Sequence, residues 1–532
     1  MQTLHGSPVA YHVRAPPPIP LSVYYVMLTE YGRVRYTIRM RNFVYRHLAA
    51  FLTPLCVLLC ALALVVAPVA AQEPATVSAP APAPAAKPVR GQDPMDPHPA
   101  TTDIPPLAAD YTLTARVADH AADGTVRVDG TERVMLTNTG TKPVDRATFN
   151  VPAAHYGWFA LESGALDGAP ATVDQADVRL SFPDWGSLAP KDTRVVSFQF
   201  HLVIGDAGDG YDGCRLDGDV LRLAYWFPML SDDHGYPERI DPPYTATGDF
   251  HVTLSAPAGT VMAGTGMTQK QATTAGRTTW TVDAPKVRDW VAMLSPAYDV
   301  TRGTSAGGVA VEVYTVPAHY RATPGRVDAI LADAITSLDK MSAWVGPYPY
   351  PVFHVVDAGL TMPGGIEFPT LITMGPRIND FATLVAHETA HQWFYGVIGT
   401  HPQDEPWVDE GAASYFEQAI YGGLGITPTL SRTLPCAVSA TVWDTSISER
   451  DLLYCVYNGG RVTYAAIATA MGPAAFTAAL HDLYANHVYG IISARDLLTT
   501  FQQHSAADLR PIVKPYLAYN WVDPLPPPGG TG

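Results

Sequence analysis

Cysteine is scarce in this 532-residue chain, with five residues in all. Cys56 and Cys60 fall in an apolar N-terminal run, and Cys214, Cys436 and Cys455 have no metal-ligand spacing, which excludes a thiolate metal site. Charge is sparse too: 16% of residues are charged and the formal balance is −16 at pH 7. No basic run and no basic patch interleaved with aromatics occurs, so nucleic acid is not an expected partner. A hydrophobic fraction of 47% excludes a disordered chain and leaves room for two or three domains. There is no internal repeat.

Leu48 to Ala71 is uncharged and apolar, follows Arg41 and Arg46, and ends in Val69-Ala70-Ala71. A positive flank, an apolar stretch and small residues at the end predict a signal peptide cut after Ala71, with Met40 as a more ordinary start. Cleavage removes six basic residues and one acidic residue and takes the charge to −21. An uncleaved membrane anchor through residues 48–70 is the alternative. Either way the bulk of the chain is expected outside the cytoplasm, secreted or anchored. There Cys436 and Cys455 could close a loop bracing the segment that holds Tyr457, with two buried free thiols as the rival expectation.

Five segments follow from the pattern. Residues 1–71 are the extension and leader, and 72–107 an Ala/Pro-rich linker. Residues 108–305 carry short alternating runs such as Tyr111–Val117, Thr125–Val128 and Glu132–Leu136, which predict a β-sandwich or saddle. From 306 to 430 strands mix with helices: Val309, Val311 and Val313 alternate, Val327 to Val345 has helical spacing, and Phe353–Val356 and Thr370–Met374 read as strands. From Ile426 the pattern is helical to the end, so 431–532 is a short helical part that completes the site, broken or capped at Gly472-Pro473, Asn486 and Ser493.

His387-Glu388-Thr389-Ala390-His391 carries the chemistry. Histidines at i and i+4 fall on one helical face, so both imidazoles can meet one zinc ion. Glu388 lies beside that face and can take a proton from water at the metal. Phe381 to Ala386 predicts helix before the motif, and Gln392-Trp393-Phe394 continues it. After eighteen intervening residues, Glu410 offers a third ligand on a second helix. Glu417, two turns further on, could orient a ligating histidine. His354, His401, His481, His487 and His504 have no partner at ligand spacing and are expected to be structural or at the surface.

The motif with its flanking Gln392-Trp393-Phe394, the gap, and Trp407-Val408-Asp409-Glu410-Gly411 closely resemble the gluzincin zinc aminopeptidases, the family of alanyl aminopeptidases and leukotriene hydrolase. Gly364-Gly365-Ile366-Glu367-Phe368 is similar to its Gly-x-Met-Glu-Asn exopeptidase motif, and Val456-Tyr457-Asn458-Gly459-Gly460 to its Val-Tyr-Glu-Lys-Gly stretch. The resemblance covers roughly residues 108–520, in the manner of a short bacterial member. It implies a multidomain α+β fold: a β-rich N-terminal domain, a thermolysin-like zinc domain and a short helical C-terminal part. It further implies one Zn2+ per chain on His387, His391 and Glu410, with Glu388 as general base. Glu367, with Gly364 and Gly365, would bind the free α-amino end of a peptide, and Tyr457 would stabilise the oxyanion, with Tyr454 and Tyr464 as nearby competitors. Ile366, Phe368 and Gly459 depart from the family's Met, Asn and Lys, and Phe368 puts substrate preference in question. The expected activity is a secreted aminopeptidase acting through zinc-activated water. Its alternatives are a zinc endopeptidase of the same fold, with Glu367 structural, and a catalytically weak peptide-binding ectodomain.

Overall fold

The structure, a computed structural model, describes residues 104–205, 213–231, 245–519 and 525. The expected leader or anchor and nearly all of the expected linker lie outside the described residues. Among the described residues, no single helix is long and apolar enough to cross a membrane.

Alternation of apolar and polar side chains builds the first half. Val126–Asn138 is one strand, joining two runs that the pattern suggests as separate. Val126, Val128, Val134 and Leu136 are fully buried, while Arg127, Thr131 and Arg133 face water. The strand pairs antiparallel with Leu107–Val117 on one side and Thr193–Ile204 on the other, inside an eight-stranded sheet. Leu107–Val117 also pairs parallel with Gly248–Pro257. Two four-stranded sheets complete this β-rich part. Phe149, Phe198, Phe200, Trp226 and Trp290 fill the space between, and Gly130 is obligatory because a Cβ there would lie 2.4 Å from the Phe200 ring.

One residue breaks the alternation. Glu132 takes an inward position in the central strand, is 3% exposed, and neither carboxylate oxygen has a hydrogen-bond partner. Burial pushes its pKa well above the usual carboxylate range. Because the folded value is raised, the native state keeps a proton that the unfolded chain releases, and stability falls as pH rises above the unfolded pKa. Replacing Glu132 by Leu should therefore raise stability at neutral pH by about 1–3 kcal/mol. Melting curves of both proteins across pH should show that advantage shrinking toward pH 4.

The second half is organised around a five-stranded sheet in the spatial order Asp299–Thr304, Ala310–Thr315, Val352–Asp357, Leu371–Met374, Gly365–Ile366. Its three central strands run parallel, and Gly365–Ile366 is an antiparallel edge. Asp299–Thr304, which the pattern places with the β-rich part, pairs into this sheet instead. Helix Arg326–Trp344 buries Ile330, Ala334, Leu338 and Met341 at helical spacing. It stops ahead of Pro347, Pro349 and Pro351, which cannot continue it.

The expectation of helix from Ile426 onward is corrected. No helix occupies residues 427–448, where Pro428 and Pro435 punctuate a Ser/Thr-rich stretch; regular helix resumes at Glu449–Leu453. Gly472-Pro473 does break the helices, and Ser493 does cap one with a reciprocal bond pair to Asp496. Asn486 does neither: it lies within helix Pro473–His487 with its side-chain amide on Asp482.

Candidate metal centre

Helix Phe381–Ala390 begins at Asp380, whose carboxylate accepts from the Thr383 amide and hydroxyl. Its C-terminal end delivers His387 and Glu388, and His391 follows as the capping residue. The helix ends there. Gln392, Trp393 and Phe394, expected to extend it, lie in tight turns closed by bonds such as Gly396 N–H to His391 O, and Tyr395 adopts φ 115°.

The third carboxylate comes from helix Glu410–Gly422. Asp409 caps it, accepting from the Glu410 amide and the Thr400 hydroxyl. Gly411 allows the next helix, Gly460–Met471, to approach closely, since a Cβ on Gly411 would lie 2.9 Å from the Gly460 Cα. That contact brings up the single π-helical turn Tyr454–Gly459, which carries Tyr457.

His387 Nε2, His391 Nε2 and Glu410 Oε2 converge, with spacings of 3.3 Å between the nitrogens and 3.2 and 3.4 Å to the carboxylate oxygen. Ligand atoms about 2.1 Å from a tetrahedral zinc lie about 3.4 Å from one another, so the triangle fits the ion. Protonation agrees. His391 Nδ1 donates to the Phe394 carbonyl at 3.1 Å, which leaves its Nε2 as a bare lone pair. His387 Nδ1 is held 2.9 Å from Glu417 Oε2, as the helical spacing of Glu417 suggests. With metal bound, all three atoms facing the centre would act as acceptors, the cation taking the place of the proton that His387 otherwise holds. Burial opposes a charged His387, yet the Glu410 and Glu417 carboxylates outweigh it and hold the ring well above its ordinary pKa.

Two carboxylates flank this face without joining the triangle. Glu388 is buried, and burial raises its carboxyl to about 8, against the pull of His387. Gly365 on the edge strand is fitted to it: a Cβ there would sit 2.5 Å from Glu388 Oε1. Gly364 meets nothing within 4 Å, so the strand's start is open. Glu367, next after that strand, is 4% exposed, and one of its carboxylate oxygens lies within 4.8 Å of ligand atoms of both Glu388 and His391. Burial, then the charges of Glu388 and Glu410, push Glu367 well above the usual carboxylate range. Phe368, where the resemblance leads one to expect Asn, is wholly buried with its ring 5.5 Å from Tyr225.

Of the three tyrosines, Tyr457 reaches the centre. Its hydroxyl donates to Glu410 Oε1 at 2.6 Å and its ring lies parallel to His387. Tyr454 exchanges hydrogen bonds with Arg432, and Tyr464 donates to the Val408 carbonyl. Cys436 and Cys455 form a disulfide that ties the preceding loop to the π-helical turn. His354 is a buried structural residue whose Nδ1 bonds the Gly264 carbonyl.

Two residues at the site have contacts that the motif reading does not assign. Gln392 is buried and bonded to the turn after Glu367. Arg461 lies 3.9 Å from Glu417 and bonds Asn458; its i+4 spacing from Tyr457 is the one clue to it.

Two histidines and a glutamate around an acceptor-lined buried face, with a further carboxylate alongside, define a zinc hydrolase of the gluzincin type. Residues 370–516 match the peptidase family M1 domain, so this part of the chain is a zinc metallopeptidase domain, with Zn2+ as its metal. In fold the chain is similar to an M1 zinc metallopeptidase from Deinococcus radiodurans, at 18% identity and TM-score 0.56 over 81% of this chain and 97% of that one. It is similar also to a mutant of an M1 zinc metallopeptidase from Deinococcus radiodurans bound to a Tyr-Ser-Ala substrate, at 18% identity and TM-score 0.58 over 79% and 96%. A third is a mutant two-domain M1 zinc metallopeptidase bound to L-tryptophan, at 18% identity and TM-score 0.57 over 81% and 98%. No curated protein matches the sequence.

Proposed function

We propose that this protein is an aminopeptidase that hydrolyses the first peptide bond of peptides with a free N-terminus. The observation that carries the reading is the placement of Glu367: a buried carboxylate beside Glu388 and His391, at the end of an open edge strand. An α-amino group has a pKa of about 8 and is largely cationic at neutral pH, so a fixed carboxylate here would select chain ends. Peptide main chain can dock on the free edge of Gly365–Ile366. Binding of a tripeptide and of an amino acid by the similar M1 enzymes fits the same use of the cleft.

His387, His391 and Glu410 would hold the zinc, which when bound supplies Lewis-acid polarisation and acidifies water. Glu388 takes a proton from the attacking water as the new C–O bond forms, and returns it to the leaving nitrogen as the C–N bond breaks. Tyr457 donates its phenolic hydrogen bond to the carbonyl oxygen as negative charge builds there. Glu417 and the Phe394 carbonyl keep the two imidazoles turned toward the metal. Export from the cytoplasm is part of the proposal, supported by the apolar leader at residues 48–71 and by the Cys436–Cys455 disulfide.

The test is a matched pair of aminoacyl anilides, one with a free amine and one N-acetylated. The free substrate should be cut at least about 10²-fold more efficiently. Equal cleavage of the two would overturn the aminopeptidase reading in favour of an endopeptidase.

A further inference from the structure

Among the described contacts the Glu367 carboxylate is bonded by its own backbone amide and by no other side chain, so its position is set through its backbone. The residues immediately after it, Phe368 to Thr370, form a turn of unusual density. Thr370 adopts φ 63°, a strained value for a β-branched residue. Its hydroxyl accepts from the Gly266 amide, and its carbonyl from the His354 amide. The Phe368 carbonyl accepts from the Leu371 amide, and two further bonds of the turn go to one side chain. Gln392 Nε2 donates to the Phe368 carbonyl at 3.0 Å, and Gln392 Oε1 accepts from the Thr370 amide at 2.8 Å and from the Tyr348 hydroxyl at 3.2 Å. Gln392 is fully buried and directly follows the ligand His391.

We propose that Gln392 is a positioning residue that sets the distance between the amine-binding carboxylate of Glu367 and the metal-binding histidines. One end of it is covalently next to His391; the other is bonded on both sides of the Phe368–Thr370 turn. No other residue type of this length offers a donor to the Phe368 carbonyl and an acceptor to the Thr370 amide while remaining neutral in a buried place. Because a shift of about 1 Å in a bound group can cost about 10²-fold, the clamp governs how well a free amine is held. The inference rests on Glu367 being the amine anchor.

Three variants separate the two ideas. In Gln392→Leu, KM for the free-amine anilide should rise about tenfold or more, while cleavage of the N-acetylated anilide and the zinc content of one per chain stay unchanged. Gln392→Glu keeps an acceptor for Thr370 and Tyr348 but, when ionised, trades the donor to the Phe368 carbonyl for a buried charge, so its KM should also rise. It also serves if the leucine variant does not fold. Glu367→Ala is the control. If it removes the preference for free amines but Gln392→Leu and Gln392→Glu keep wild-type KM, the positioning role is wrong and the aminopeptidase reading survives. If Glu367→Ala leaves the preference intact, both fall together. Parallel losses for the free and acetylated substrates would mark Gln392 as merely structural and also overturn the proposal.

Discussion

Glu388→Gln is expected to lower kcat by at least about 10³-fold while one zinc stays bound per chain. The substitution is nearly isosteric, and the slot against Gly365 accommodates an amide as it does the carboxylate. None of the three converging ligand atoms belongs to residue 388, so metal content should not change. What disappears is the flanking carboxylate assigned to take a proton from water and hand it to the leaving nitrogen. A loss of 10³-fold corresponds to about 4 kcal/mol of transition-state stabilisation. Zinc analysis beside steady-state kinetics would check it, and activity near wild type with full zinc would remove Glu388 from the role of base.

How much of this was legible beforehand depends on how local each feature is. His387 and His391 lie one helical turn apart, so their convergence follows from helix geometry alone. Glu410 needed a second helix, and the helical segment eighteen intervening residues beyond the motif pointed to it. The strands of the β-rich part were legible because their alternation is clean: Val126, Val128, Val134 and Leu136 point inward on one strand. Glu132 was not, since an inward carboxylate contradicts the rule that identifies the strand. The stretch after Ile426 misled because its apolar spacing resembles helix, while Pro428 and Pro435 prevent it. The π-helical turn that presents Tyr457 leaves no periodic trace, being a single turn of six residues between ordinary helices. Gln392 was hidden for a different reason. Its partners at 368 and 370 are more than twenty residues away and are brought to it by pairing of Gly365–Ile366 with Leu371–Met374.

Glu367→Ala should reduce kcat/KM for a free-amine substrate by about 10²–10³-fold, the loss of one buried charge pair worth roughly 3–4 kcal/mol. The same change should not weaken the fold. Glu367 is buried, and desolvation together with Glu388 and Glu410 pushes its pKa well above the usual range, so the resting protein gains nothing from its charge. Removing it should leave the melting temperature equal or higher. Glu367→Gln, which keeps an acceptor but no charge, should fall between wild type and alanine in activity and match alanine in stability. A structural carboxylate behaves in the opposite way, since its loss lowers stability first and activity only as a consequence. Activity that falls as the melting temperature holds or rises is the mark of a residue kept for its substrate at the expense of the fold. If the melting temperature drops in step with kcat/KM, Glu367 belongs to the scaffold and the choice of free amino ends must be made elsewhere in the cleft.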